Sequence, residues 1–163
     1  SDWSSDVCSS DLICSQSESR LRANGISGDF VTYHQNQPIF TMPEIQQKAD
    51  ILFLPLAFNS PYPEIVKTAS PGKLGELLAA RRPVLVHAPA DSFVSWYFKQ
   101  HSCGLVVAHN DPVELAEGIE SLIKNQELRR NLSNAAYIRA KEDFDGMIIK
   151  KKFVDLLEAR CMG

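Results

Sequence analysis

Short apolar runs alternate with stretches of helical periodicity along most of the chain. Ile51-Leu52-Phe53-Leu54, Val84 to His87 and Leu105-Val106-Val107 are continuous runs, the pattern of parallel strands covered on both faces. Phe30 to His34, β-branched and aromatic, reads as another strand, and Leu12-Ile13-Cys14 as the tail of one more. Helical patterns fall between them, over Glu18 to Asn24 (stopping at Gly25), Pro43 to Ala49, Pro71 to Ala80 and Ser92 to His101. Residues 55–69, with Pro55, Pro61 and Pro63, read as one long loop of the kind that often carries function. Strands separated by helices imply βαβ units with right-handed crossovers. The expected fold is α/β, a Rossmann-like parallel sheet flanked by helices.

The C-terminal third is helical throughout. Asp111-Pro112-Val113-Glu114 supplies an N-cap, a first-turn proline and a capping-box acid, and Leu115, Ile119, Leu122 and Ile123 follow as one stripe. A second helix starts near Glu127 with Leu128, Leu132, Ala135 and Ala136 inward. A third starts near Gly146 and is expected to bury Ile149, Phe153, Leu156 and Leu157. Lys150-Lys151-Lys152 reads as a solvated helix face, with contact to anionic lipid as the alternative.

The first dozen residues stand apart. Asp2 to Leu12 matches the in-frame translation of a common short-read sequencing adapter, so residues 1–12 are expected to be an artefactual or disordered leader. Residues 13–163 are then expected to form one domain, incomplete at its N-terminus. The leader holds three aspartates and no basic residue, which accounts for the whole formal charge of −3. A neutral remainder argues against a nucleic-acid partner. No apolar run approaches the ~20 residues that a membrane span needs. Cys8 falls in the leader, and Cys14, Cys103 and Cys161 are too widely spaced for a zinc site or a disulfide framework. His34, His87, His101 and His109 show no metal-ligand spacing, and His109 and Asn110 receive no role.

The densest chemistry lies in Ser70 to Val86. Ser70 suits an N-cap and Pro71 a first helical position, where free backbone N–H groups and the helix dipole favour an anion. Gly72 permits close approach to the backbone, and Lys73 adds a point charge for a phosphate. Glu76 follows three positions later, roughly one turn (~5 Å) along the same side. That spacing matches the step from a diphosphate to ribose hydroxyls. The plain alternative is an amphipathic helix with Leu74, Leu77 and Leu78 packed and Lys73 and Glu76 merely solvated.

This order of residues resembles the donor-binding segment of GT-B fold glycosyltransferases, in particular the retaining group called glycosyl transferases group 1. The resemblance covers roughly residues 26–158 and is specific over 68–86. It implies that Ser70, Gly72 and Lys73 bind the donor phosphates and that Glu76 binds the ribose. It departs from the family at Thr68, where many members carry a second glutamate. Thr68 and Ala69 thus remain sugar-proximal candidates without a carboxylate. Arg81 stands where the family has glycine, implying a left-handed backbone at the helix end. The family's arginine and lysine near the start of this domain would lie upstream of Leu12. The acceptor domain is absent with them, and its uncovered interface implies poor solubility.

The implied function is transfer of a sugar from a nucleotide-diphosphate donor to an acceptor (a glycan, lipid or small molecule), this chain being the donor-binding half. The donor would be a co-substrate, with no cofactor and no metal. No catalytic residue is assigned, and the fragment alone is expected to be inactive. The implied location is the cytoplasm, with peripheral membrane contact as an open alternative. A sugar-nucleotide epimerase of the same fold and a non-catalytic nucleotide-binding remnant are the competing readings.

Overall fold

The computed structural model describes the backbone of residues 10–161 and side chains through residue 158. The adapter-like residues up to Ser9, Cys8 among them, and the Cys161 side chain lie outside the described residues. The chain divides into two compact units, one ending at Ile45 and the other beginning at Gln46.

The first unit holds a parallel strand pair, β1 (Ser10–Ile13) and β2 (Val31–His34), joined through α1 (Glu18–Ala23). Ser17 caps α1 by accepting from the Arg20 N–H, and Gly25 takes φ 84° just past its end. Only glycine adopts that conformation without strain, which is why the helix stops there. Ser10, Asp11 and Leu12, placed in the leader by sequence, pair with Val31, Thr32 and Tyr33, and the Asp11 carboxylate lies 2.8 Å from the His34 ring. A 3-10 turn (Ile39–Thr41) follows and leads into α2 (Met42–Lys48), which carries the boundary between the units.

The second unit is a three-stranded parallel sheet of β3 (Leu52–Pro55), β4 (Val84–His87) and β5 (Leu105–Val107), in that spatial order. Leu54, Val86 and Val106 align across it, as do Phe53, Leu85 and Leu105. The crossovers run through α3 (Pro63–Thr68) and α4 (Leu74–Ala79), then through α5 (Phe93–His101). α6 (Pro112–Lys124), α7 (Gln126–Phe144) and α8 (Gly146–Cys161) complete the chain. On one face Leu52, Leu54, Val84 and Val86 pack with Leu74 and Leu78 of α4, Val94 and Phe98 of α5, and Ala136 and Ala140 of α7. On the other, Leu85 and Val107 pack with Leu122 of α6 and Leu132 of α7. The fold is therefore α/β, a Rossmann-like parallel arrangement flanked by helices, with trailing C-terminal helices.

Several expectations are corrected. Residues 55–69 are not one loop: Pro63 at the first helical position and Glu64 in the first turn start α3. β3 is not covered on both faces, because α6 packs on β4 and β5 and leaves Phe53 of β3 half exposed. α4 begins at Leu74, not Pro71, with Lys73 at its N-cap and no side-chain cap. Residues 71–74 form a turn closed by Leu74 N–H to the Pro71 carbonyl (2.8 Å), as Gly72 is a poor helix former. The Glu114 carboxylate closes no capping box: Asp111 accepts from the Val113 and Glu114 N–H groups, while Glu114 turns to His109. Ile149, Phe153, Leu156 and Leu157 of α8 are 45–61% exposed rather than buried, as α8 packs chiefly on α7 among the described elements. Arg81 does take φ 58° beyond α4, its guanidinium 3.7 Å from the centre of the Tyr137 ring.

Candidate functional site

Because β3, β4 and β5 are parallel, the segments leaving β3, β4 and β5 and the start of α4 all lie at the carboxyl edge of the sheet. Ligands of doubly wound folds sit at that edge. Three hydrogen bonds brace it. Leu56 N–H donates to the His87 carbonyl (2.9 Å), Ala88 N–H donates to the Val107 carbonyl (3.2 Å), and the Ser95 hydroxyl donates to the Ala88 carbonyl. Ser92 caps α5, accepting from the Ser95 N–H while its hydroxyl donates to the Pro89 carbonyl.

α4 presents two faces. Leu74, Leu77 and Leu78 are buried, which pins the helix to the sheet. Lys73 and Glu76 are exposed, and among the described residues neither makes a side-chain hydrogen bond or ion pair. Gly72 is exposed, and a Cβ added there would meet only open space. Gly75 is constrained instead by packing, since a Cβ would meet the Phe144 ring at 3.0 Å. Ser70 is exposed and caps nothing. Lys73, Glu76 and Gly72 are thus brought together at one helix start, while Ser70 is left out of the cap.

Thr68 and Ala69 belong to the end of α3. The Thr68 hydroxyl donates to the Glu64 carbonyl (2.8 Å) and the Ala69 N–H to the Ile65 carbonyl (2.8 Å), so both donor hydrogens are used in closing that helix. Their neighbour Lys67 reaches outward, 3.4 Å from the Glu64 carboxylate and 3.5 Å from Asp91. The Glu64 carboxylate, and Asp91 after it, raise the Lys67 pKa, so the ammonium keeps its charge.

Lys67 and Asp91 face a cleft of about 140 Å³ between α3 and the turn after β4, walled also by Phe58, Ser60, Val66 and Pro89. Phe58 is set by its contact with the His87 ring (4.6 Å between centroids). The His87 ring nitrogen lies 3.0 Å from the His109 carbonyl, and His109 is held by Glu114 at 2.8 Å. Sequence reading gave none of these residues a part in a binding site. The available signals were a histidine ending a strand, followed by Pro-x-Asp-Ser, and the Pro63-Glu64 helix start. No group of three or more potential metal ligands gathers among the described residues.

The family model for glycosyl transferases group 1 matches residues 16–139. The chain belongs to that family. No curated protein matches its sequence. Among solved structures it is similar to the crystal structure of WaaG, a glycosyltransferase involved in lipopolysaccharide biosynthesis, with a TM-score of 0.60 and 20% identity. The match covers 90% of this chain and 37% of WaaG, so the chain spans little more than a third of that protein's length. At that identity the likeness establishes fold, and it agrees with a domain of GT-B type. Among the described residues no helix is long and apolar enough to cross a membrane.

Proposed function

We propose that this chain is the donor-binding domain of a glycosyltransferase that takes its sugar from a nucleotide diphosphate. The observation that carries the reading is α4. Its apolar face is sealed in the core, while Lys73 and Glu76 stand exposed at its start, unpaired among the described residues, on the carboxyl edge of a parallel sheet. An exposed ammonium at a ligand-binding edge is suited to an anion, and a carboxylate one turn on is suited to a diol. Lys73, with the backbone at Ser70 and Gly72, holds the diphosphate; Glu76 accepts from the ribose hydroxyls. As the glycosidic bond to the diphosphate breaks, negative charge grows on the leaving oxygens, and a fixed cation there stabilises that change. The sugar passes to an acceptor held by a partner domain. The location that fits this reading is cytoplasmic.

Calorimetric titration of the chain with nucleoside diphosphates and with inorganic pyrophosphate tests the assignment. Lys73→Ala weakens both ligands by roughly tenfold, the value of one charge-assisted hydrogen bond. Glu76→Ala weakens nucleoside diphosphates only. Equal affinity of Glu76→Ala and the parent chain for every nucleoside diphosphate overturns the ribose role.

A further inference from the structure

The cleft beside α3 is not explained by diphosphate and ribose binding. Its volume of about 140 Å³ is far too small for a nucleotide. Cavities of roughly that size, about 150 Å³, do take a six-membered ring. Its lining mixes one aromatic ring and two prolines with three polar side chains, the composition of a small-molecule site with a few placed polar groups. The Ser60 oxygen accepts from the Tyr62 N–H (3.1 Å), which leaves its hydroxyl hydrogen available to donate. Asp91 offers two acceptor oxygens and Lys67 three donor hydrogens. The distances from Lys67 to Glu64 and Asp91, 3.4 and 3.5 Å, are long for charge-assisted hydrogen bonds. A ligand hydroxyl bridging Lys67 and Asp91 would replace one loose ion pair by two short bonds. A diol on a saturated ring supplies such hydroxyls, and the ring's C–H face suits Phe58 and Pro89.

We propose that the cleft is a monosaccharide subsite, with Asp91 and Lys67 holding ring hydroxyls and Phe58 and Pro89 packing on the ring. It rests on the reading that this edge handles a nucleotide sugar, and it moves the sugar contacts from Thr68 to its neighbour Lys67 and to Asp91. The Thr68 hydroxyl hydrogen is committed to the Glu64 carbonyl and Thr68 does not line the cleft, whereas Lys67 and Asp91 do. The sugar is presented either by the donor or by the acceptor, and the chemistry of the cleft is the same for both.

The test compares the chain with Asp91→Asn and Lys67→Met, both close in shape to the residues replaced and both at partly exposed positions. Each protein is titrated with UDP and GDP, with UDP-glucose, UDP-galactose, UDP-N-acetylglucosamine and GDP-mannose, and with the corresponding methyl glycosides. A nucleotide sugar that binds more tightly than its parent diphosphate, with that increment lost roughly tenfold in both variants and diphosphate affinity unchanged, supports a donor-sugar subsite. Methyl glycosides that bind alone and are lost in both variants support an acceptor-sugar subsite. If diphosphates fail to bind but glycosides bind through Asp91 and Lys67, the subsite stands and the donor-domain reading falls. If diphosphates bind and neither variant changes any sugar-dependent affinity, the subsite is overturned and the donor-domain reading survives. Failure of every ligand overturns both.

Discussion

The two faces of α4 separate folding from binding, and paired substitutions on one helix make that separation measurable. Leu78 is 0% exposed and packs in the main core cluster, so Leu78→Ala removes buried methyl groups and leaves a cavity. Such changes cost about 2–5 kcal/mol. For a chain of this size each kcal/mol moves the melting temperature by about 2–4 °C, so a fall of roughly 6–12 °C is expected for a mid-range cost of about 3 kcal/mol. Two positions earlier, Glu76 is exposed and unpaired among the described residues. Glu76→Ala loses an acidic residue in the first turn, worth about 0.3–1 kcal/mol against the helix dipole, and gains a few tenths from alanine's propensity. The net shift should stay within about 2 °C. Thermal unfolding followed by circular dichroism at 222 nm reads both variants. A drop for Glu76→Ala comparable to that for Leu78→Ala would show the carboxylate to be part of the fold. Its loss of ligand affinity could then no longer be read as a lost contact.

Three further outcomes follow from packing and charge. Gly104→Ala should destabilise by about 1–3 kcal/mol in urea melts, because the new Cβ would meet the Val84 carbonyl oxygen at 2.8 Å and the Phe98 ring at 2.5 Å; a neutral result would mean that the strand end yields freely. Ser92→Ala removes the N-cap of α5 and should cost about 1 kcal/mol by the same measurement, against no loss if the backbone bond from the Ser92 N–H to the Pro89 carbonyl alone fixes the turn. Burial pushes the Cys103 thiol up to about 12 from 9.0. The folded state therefore favours the neutral thiol, and its contribution is fully present below pH 9 and lost as pH rises from 9 towards 12. Alkylation with iodoacetamide at pH 8, read by peptide mapping, should label Cys14 and spare Cys103 until denaturant is added; native labelling of Cys103 would contradict its burial.

How far the chain could be read before folding varied with the kind of signal. The strands of the second unit were legible because apolar runs such as Val84-Leu85-Val86 have no other low-energy place than a sheet interior, and two of the three boundaries hold to the residue. The cap at Asp111 was legible, because a short acidic side chain before Pro112 has one obvious use, whereas Ser17 and Ser92 cap their helices without having been read as caps. Ser70 carried the same signal and caps nothing, because the glycine two residues on favours a turn over a helical start. Periodicity failed differently at α8. A stripe such as Ile149, Phe153, Leu156 and Leu157 specifies which side of a helix is apolar, yet holds no information about what lies against it.

The site shows the same division. Lys73 and Glu76 were legible because three-residue spacing survives any reasonable choice of helix start: moving it from Pro71 to Leu74 leaves both in the first turn or its cap. Lys67 and Asp91 are 24 positions apart and meet only because β3 and β4 are parallel neighbours whose outgoing segments share an edge. No local pattern encodes that meeting. α3 was hidden among three prolines, although Pro63 is the residue that starts it. Read as a loop, 55–69 left the sugar contact with Thr68, the residue standing at the family's glutamate position. Read as a helix, it turns the Thr68 hydroxyl back onto Glu64 and sends Lys67 into the cleft. A position can thus keep its place in an alignment while its chemistry moves to the adjoining residue, and the Asp91→Asn and Lys67→Met titrations decide whether that is what happened here.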